Sequence, residues 1–391
     1  MRVETIVSRV LGAWRRCVHA KRLKAMLVVV AGIVRAGRLS LTSVGRGLPS
    51  QALVKHSIKR VDRLLGNAAF HRERWVHFAA MCEFLIGERG RVVVVVDWTK
   101  VVGCFHALYA AVATAGRAQT VYLEVHPERR VGTKRIHERF LRSLREVLPR
   151  GCRPIIVTDA GFHGPFFREV QRLGWDFVGR VRGITTMRAH GSSTWSNVRR
   201  IYRQASAVAT DLGLFQLYKK TGRGFDARLV LVHKKRAGRH PWRRRLSSEH
   251  ASTMTAGKEP WLLATSLAHS AADVVRYYAA RMQIEETFRD VKNHRFGWSL
   301  RDVRSSSRRR LEVLLLLCAV AMLAVTLIGL AVERCRLHRH YQANTVKKRV
   351  LSLFSLGVAF LRAPGRLVLD FRSRLRTLVD EAVSAEGLFR C

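Results

Sequence analysis

Residues 91–100, RVVVVVDWTK, decide the fold: five consecutive valines, Val92–Val96, run directly into Asp97. β-Branched residues without polar alternation suit a strand buried on both faces, as in the centre of an α/β sheet. Residues 154–159, PIIVTD, repeat the arrangement in shorter form, an apolar strand over Pro154–Thr158 that ends at Asp159. Between the two, Cys104–Ala113 and Ala118–Val125 read as strands with Gly116 in their turn, and Lys134–Val147 reads as a helix. A helix over Gly164–Leu173 and a strand over Asp176–Val181 follow. Three strands, helix, strand, helix, strand is a mixed α/β order that many domains share.

The pattern changes on either side of this core. The first sixty residues hold 13 Lys/Arg and one acid, Glu4, with helical periodicity broken near Gly45–Pro49. Within Gln51–Gly66, Val54, Ile58, Val61 and Leu65 form one helical stripe, and Lys55, Lys59 and Arg63 another. The basic stripe suits phosphate and equally suits a solvated surface. Residues 183–258 carry 16 Lys/Arg against three acids, with strand candidates at Phe215–Tyr218 and Arg228–His233 and a basic loop at Lys234–Arg245. Trp261–Ser266 returns to a strand, and Asp273–Asn293 reads as one long helix. Val313–Val332 is a twenty-residue run without a charge, long enough for a membrane span and equally suited to a buried core helix. The expected segments are a helical basic domain at 1–75, an α/β core at 76–182 and 261–335 split by a β-rich basic insertion at 183–260, and a basic helical region at 336–391.

Composition narrows the partners. In 391 residues, 71 Lys+Arg face 28 Asp+Glu, a formal net charge of +43 at pH 7, and 48% hydrophobic residues exclude a disordered basic tail. Such charge favours a polyanionic partner, nucleic acid first and an anionic membrane second. Seven cysteines, an odd number without CxxC spacing, indicate neither a disulfide framework nor a zinc ribbon, and so a reducing compartment. The apolar run Met26–Val34 is too late and too short for a secretory signal.

Against this background each acid on an apolar strand needs a reason. Asp97 and Asp159 end buried strands, where they either cap a turn or pair with arginine, or share a hard divalent cation. A third ligand is sought on the helix Asp273–Asn293. At ~100° per residue from Tyr278, the residues Arg281, Glu285 and Lys292 share with it an arc of roughly 60°, while Glu286 and Asp290 fall at roughly 80° and 120°. One carboxylate flanked by a phenol and two cations suits a metal with phosphates beside it. An intrahelical Arg281–Glu285 ion pair fits the same spacing.

The set Tyr278-x2-Arg281-x3-Glu285-x6-Lys292, within YYAARMQIEETFRDVKNHRFGW, resembles the Tyr-Arg-Glu-Lys signature of bacterial insertion-sequence transposases of the DDE class, the IS-four family. VVVVVDWTK is similar to that family's first-Asp strand, and PIIVTDAGFHGPFFREVQRLGWDFVGRVRG to its second-Asp strand with the helix and strand after it. The resemblance spans residues from about 55 to about 329. It implies a ribonuclease-H-like catalytic core, a mixed sheet with flanking helices, with a β-rich insertion and an N-terminal helical DNA-binding domain. It implies that Asp97, Asp159 and Glu285 are catalytic and hold two Mg2+ ions, with Mn2+ as a substitute. Tyr278, Arg281 and Lys292 are implied to hold the transposon-end strand, Trp261 to stack on a flipped base, and Arg180 and Arg182 to contact phosphate. The implied protein is a cytoplasmic, nucleoid-associated bacterial enzyme that moves its element by cut-and-paste chemistry on double-stranded DNA, paired as a homodimer at the transposon ends. Relatives bury an apolar helix after the signature helix, so a core helix and no membrane span are expected at Val313–Val332. A metal-dependent nuclease without strand transfer, and a non-catalytic basic DNA-binding protein, are the other classes.

Overall fold

The computed structural model of the chain describes residues 3–363 apart from 115, 184, 219–223, 235–258, 296 and 344. The basic loop Lys234–Arg245 therefore lies outside the described residues except for Lys234, as do residues 364–391 of the C-terminal region. The chain divides into two compact units, Met1–Cys152 with Met282–Cys391, and Arg153–Arg281.

The first unit opens with helices α1 (Val3–Leu11), α2 (Ala20–Ala36), α3 (Leu41–Gly47), α4 (Val54–Leu65), α5 (Ala68–Arg72) and α6 (Arg74–Ile86). Short polar side chains start several of them: Ser40 caps α3 through Ser43 N, and Asn67 caps α5 through Phe70 N. The antiparallel strands β1 (Val93–Lys100), β2 (Phe105–Ala113) and β3 (Ala118–Pro127) follow in the order β3-β2-β1, then helix α7 (Lys134–Val147). Val94, Val95 and Val96 are fully buried, as an uninterrupted valine run requires.

In the second unit, β4 (Ile155–Thr158) runs parallel to β5 (Asp176–Val181) across helix α8 (Gly164–Arg172). Strands β6 (Thr186–Ala189), β7 (Ser196–Asn197), β8 (Thr210–Leu217), β9 (Phe225–Val232) and β10 (Trp261–Thr265) complete a mixed sheet in the order β4-β5-β10-β9-β8-β6-β7. The expected strands at Phe215–Tyr218 and Arg228–His233 overlap the C-terminal parts of β8 and β9, which begin five and three residues earlier and end one residue sooner.

The expected single helix Asp273–Asn293 is instead two, α9 (Ala271–Ala279) in the second unit and α10 (Met282–Lys292) in the first. The last turn of α9 tightens, with Arg281 N donating to the Tyr278 carbonyl at 3.0 Å and Ala280 N shared between Arg276 O and Tyr277 O. The wheel drawn on one continuous helix therefore applies only within each piece; on α10, Glu285 and Lys292, seven apart, share a face.

The apolar run forms α11 (Arg308–Arg334), which meets the length and hydropathy of a membrane span, yet 94% of its most apolar window is buried within the protein. It packs against α2, β3 and α12 (Leu353–Arg362). Helices α11 and α12 cross where Gly329 and Gly357 face each other's backbones. A Cβ on Gly329 would lie 1.9 Å from the Leu353 carbonyl oxygen, and one on Gly357 would lie 2.1 Å from that of Val325. At the start of α11, buried Glu312 accepts from Val125 N at 3.1 Å and pairs with His71 at 2.6 Å and Arg74 at 3.1 Å.

His77 on α6 is fully buried, and neither ring nitrogen has a hydrogen-bond partner. Burial pushes its imidazole down to about 4. Below its ordinary value near 6.5 the unfolded chain takes up a proton that the folded chain refuses until about 4, so stability falls as pH drops through that window. This residue's share reaches about 1.4 kcal/mol per pH unit. His77→Leu is expected to remove that share of the slope at no cost near neutral pH, measured by urea unfolding across the window.

Candidate functional site

In the first unit the site is built on β1 and α10. Strand alternation puts Asp97 and Thr99 on one face of β1 and Trp98 on the other. Asp97 is half-buried and stands opposite Tyr109 of β2, whose ring meets Phe288 of α10 edge-on at 5.1 Å. Trp98 turns away and donates from Nε1 to His137 Nε2 at 3.0 Å.

Helix α10 is fastened to the β2–β3 hairpin by side chains at i, i+4 and i+7. Gln283 Oε1 accepts from Thr114 N at 2.7 Å. Thr287 Oγ1 accepts from Ala118 N at 3.1 Å and donates to Ala118 O at 2.9 Å. Asp290, 8% exposed, binds Arg117 Nε at 2.6 Å. Burial lifts the Asp290 carboxyl above its usual range, and Arg117 works against that lift. Glu286 pairs with Arg289 at 2.9 Å. Asp290 thus ties the helix to the hairpin, and half-buried Glu285 lies on the face it shares with Lys292.

Lys292 Nζ donates to Thr99 Oγ1 at 2.6 Å, which ties the end of α10 to the Asp97 face of β1. Burial pushes its ammonium down to about 8, Arg301 adds to the shift, and Asp97 opposes it. This unit therefore brings Asp97 and Lys292 together and packs the helix of Glu285 and Lys292 against the strand of Asp97.

The second unit holds the remaining candidates. Asp159 follows β4, half-buried, and its Oδ1 accepts from Gly161 N at 2.9 Å in a tight turn. Tyr278 of α9 is 3% exposed and meets the Trp261 ring edge-on at 4.8 Å, with the Arg281 guanidinium 5.8 Å from its ring centre. Burial raises the Tyr278 hydroxyl, Arg281 and Arg180 oppose, and Asp159 reinforces, so all four share one electrostatic neighbourhood. Trp261, half-buried at the start of β10, also has Lys234 Nζ 5.7 Å from its ring. Arg180 donates to the Glu259 and Pro260 carbonyls at 3.3 and 3.4 Å, and Arg182 pairs with Glu259 at 2.7 Å. Both arginines secure the turn that leads into Trp261.

The donor type fits a hard divalent cation, since every candidate ligand is a carboxylate on a half-buried, structured position. Among the described residues no three His, Cys, Asp or Glu side chains form a ready metal cage. Sequence reading missed Thr99, Gln283, Thr287, Arg301, and the Arg117–Asp290 pair. Thr99 was reachable from strand alternation two residues past Asp97; the Arg117–Asp290 pair, 173 residues apart, leaves no local signal.

Residues 88–322 match the family model described as the transposase DDE domain. No curated protein matches the chain. That match is consistent with reading the mixed α/β architecture as a ribonuclease-H-like core.

Removing Arg117 leaves the Asp290 carboxylate buried and unpaired at the base of α10. Arg117→Ala is expected to cost ~3 kcal/mol of stability, measured by chemical denaturation, with Asp290→Asn restoring part of it.

Proposed function

Because the chain belongs to the transposase DDE domain family, whose members carry out phosphoryl transfer on DNA, we propose that it moves an insertion sequence by cut-and-paste transposition. Asp97, Asp159 and Glu285 are assigned as the catalytic carboxylates that hold divalent metal, Mg2+ or Mn2+. When bound, such ions activate water or a 3′-hydroxyl as nucleophile and stabilise the leaving oxygen. The DNA reacts in a series of in-line displacements: one strand is nicked, its 3′-hydroxyl attacks the opposite strand to close a hairpin, the hairpin is reopened, and the 3′-hydroxyl joins target DNA.

The observation that carries this reading is the bond from Lys292 on α10 to Thr99 on the Asp97 face of β1, with Glu285 on the same helix face as Lys292. A purely structural helix has no need of an ammonium carried into partial burial against a strand of the core. Lys292, Arg281 and Tyr278 are assigned to the transposon-end strand, Lys292 and Arg281 through charge on phosphate. Trp261 is assigned to stacking on a base flipped from the hairpin, worth ~1–3 kcal/mol. Arg180 and Arg182 are assigned to phosphate beside that turn. Residues 1–75 are assigned to recognition of the ends, the working state to a homodimer, and the working place to the bacterial cytoplasm.

The test is strand cleavage of a cognate end by purified protein with Mg2+. Each of Asp97→Ala, Asp159→Ala and Glu285→Ala is expected to lower nicking by ~10^2–10^3-fold, the scale of losing an electrostatic catalytic group, with most DNA binding retained. Nicking that survives all three substitutions contradicts the assignment.

A further inference from the structure

A second acid-free stretch, besides residues 5–61, follows the long apolar helix. From Glu333 to Asp370 the sequence contains no acid, and Glu333 itself is bound by Arg349 Nε at 2.6 Å. Arg334, Arg336, Arg339, Lys347 and Lys348 are all exposed and form no ion pair among the described residues.

Two of these cations sit on a loop whose backbone is fixed by side chains rather than by a helix or strand. Gln342 Nε2 donates to the carbonyls of Val346 at 2.7 Å and Lys348 at 2.8 Å. Its Oε1 accepts from Val350 N at 3.0 Å. His338 Nε2 bonds the Lys347 carbonyl at 3.3 Å, and Arg349 Nη1 donates to Leu351 O. Three consecutive carbonyls, 346 to 348, are thus bound by the side chains of Gln342 and His338, while the side chains of Lys347 and Lys348 stand in solvent. Such fastening has a functional reading: a loop already ordered loses less conformational entropy when it binds.

We propose that Thr345–Leu351 is a preorganised surface for the phosphate backbone of duplex DNA, indifferent to base sequence. The proposal rests on the reading that the chain acts on DNA. Charge complementarity selects the partner, because the one acid beside the loop, Glu333, is bound by Arg349, and the adjacent exposed lysines 347 and 348 match the spaced charges of a duplex. The exposed apolar area at the loop is confined to Val346 and Val350, 43% and 63% exposed, far short of the roughly 800 Å² per partner of a stable contact with a second copy.

The test measures binding of the full chain to a duplex of arbitrary sequence by fluorescence anisotropy over a salt series, with no metal added. For K347A/K348A the slope of log K against log salt is expected to fall by about 2, at ~0.9 per lost phosphate contact, with affinity at ~0.1 M salt reduced on the order of tens of fold. Gln342→Ala keeps every charge and frees the loop, so affinity is expected to drop several-fold with the slope unchanged; its melting curve shows whether the fold is intact. If the wild-type chain binds the duplex and K347A/K348A matches it in slope and affinity, the loop is overturned and the DNA reading stands. If the wild-type chain does not bind the duplex, both fall. If V346D/V350D abolishes self-association while DNA affinity and slope stay at wild-type values, the surface belongs to a second copy and the proposal is wrong.

Discussion

The fastening of helix Met282–Lys292 to the β2–β3 hairpin is the constraint on which the first unit's half of the site depends. Gln283, Thr287 and Asp290 bond Thr114, Ala118 and Arg117 along one helical face, and that fixes the helix's rotation. Once rotation is fixed, the face carrying Glu285 and Lys292 is fixed too, and Lys292 closes the arrangement by bonding Thr99 on the strand of Asp97. A helix this short, eleven residues, has little stability alone, so its orientation comes from these contacts and not from propensity.

Much of the α/β core was legible because its signals are local. Five valines before Asp97, and Ile155, Ile156 and Val157 before Asp159, announce buried strands, and each carboxylate stands at the edge of its apolar run. The apolar run after the signature residues was read as a core helix through family resemblance, and Gly329 and Gly357 show how it is buried against its neighbour. What was not legible was the interruption at Ala280 and Arg281, which no proline or glycine marks and which leaves Ala271–Ala279 and Met282–Lys292 in different compact units. Nor was the Arg117–Asp290 pair, which ties the second of these helices to the hairpin.

The charge balance acquires a finer meaning from the same residues. A net charge of +43 favours a polyanion throughout, yet most of the cations named in the site have a partner within the fold: Arg182 with Glu259, Arg117 with Asp290, Lys292 with Thr99. Asp97 and Glu285 belong to one compact unit and Asp159 to the other. Asp97 lies half-buried within β1, three residues before its end, Asp159 half-buried just after β4, and Glu285 half-buried on α10; these are the acids proposed for phosphoryl transfer.

That claim is tested most directly by a crystal structure of the chain with transposon-end DNA and Mn2+, read through the anomalous signal of the metal. The account predicts manganese bound by oxygens of Asp97, Asp159 and Glu285 at about 2.1 Å. Manganese bound elsewhere, or held by only one of the three carboxylates, would contradict it.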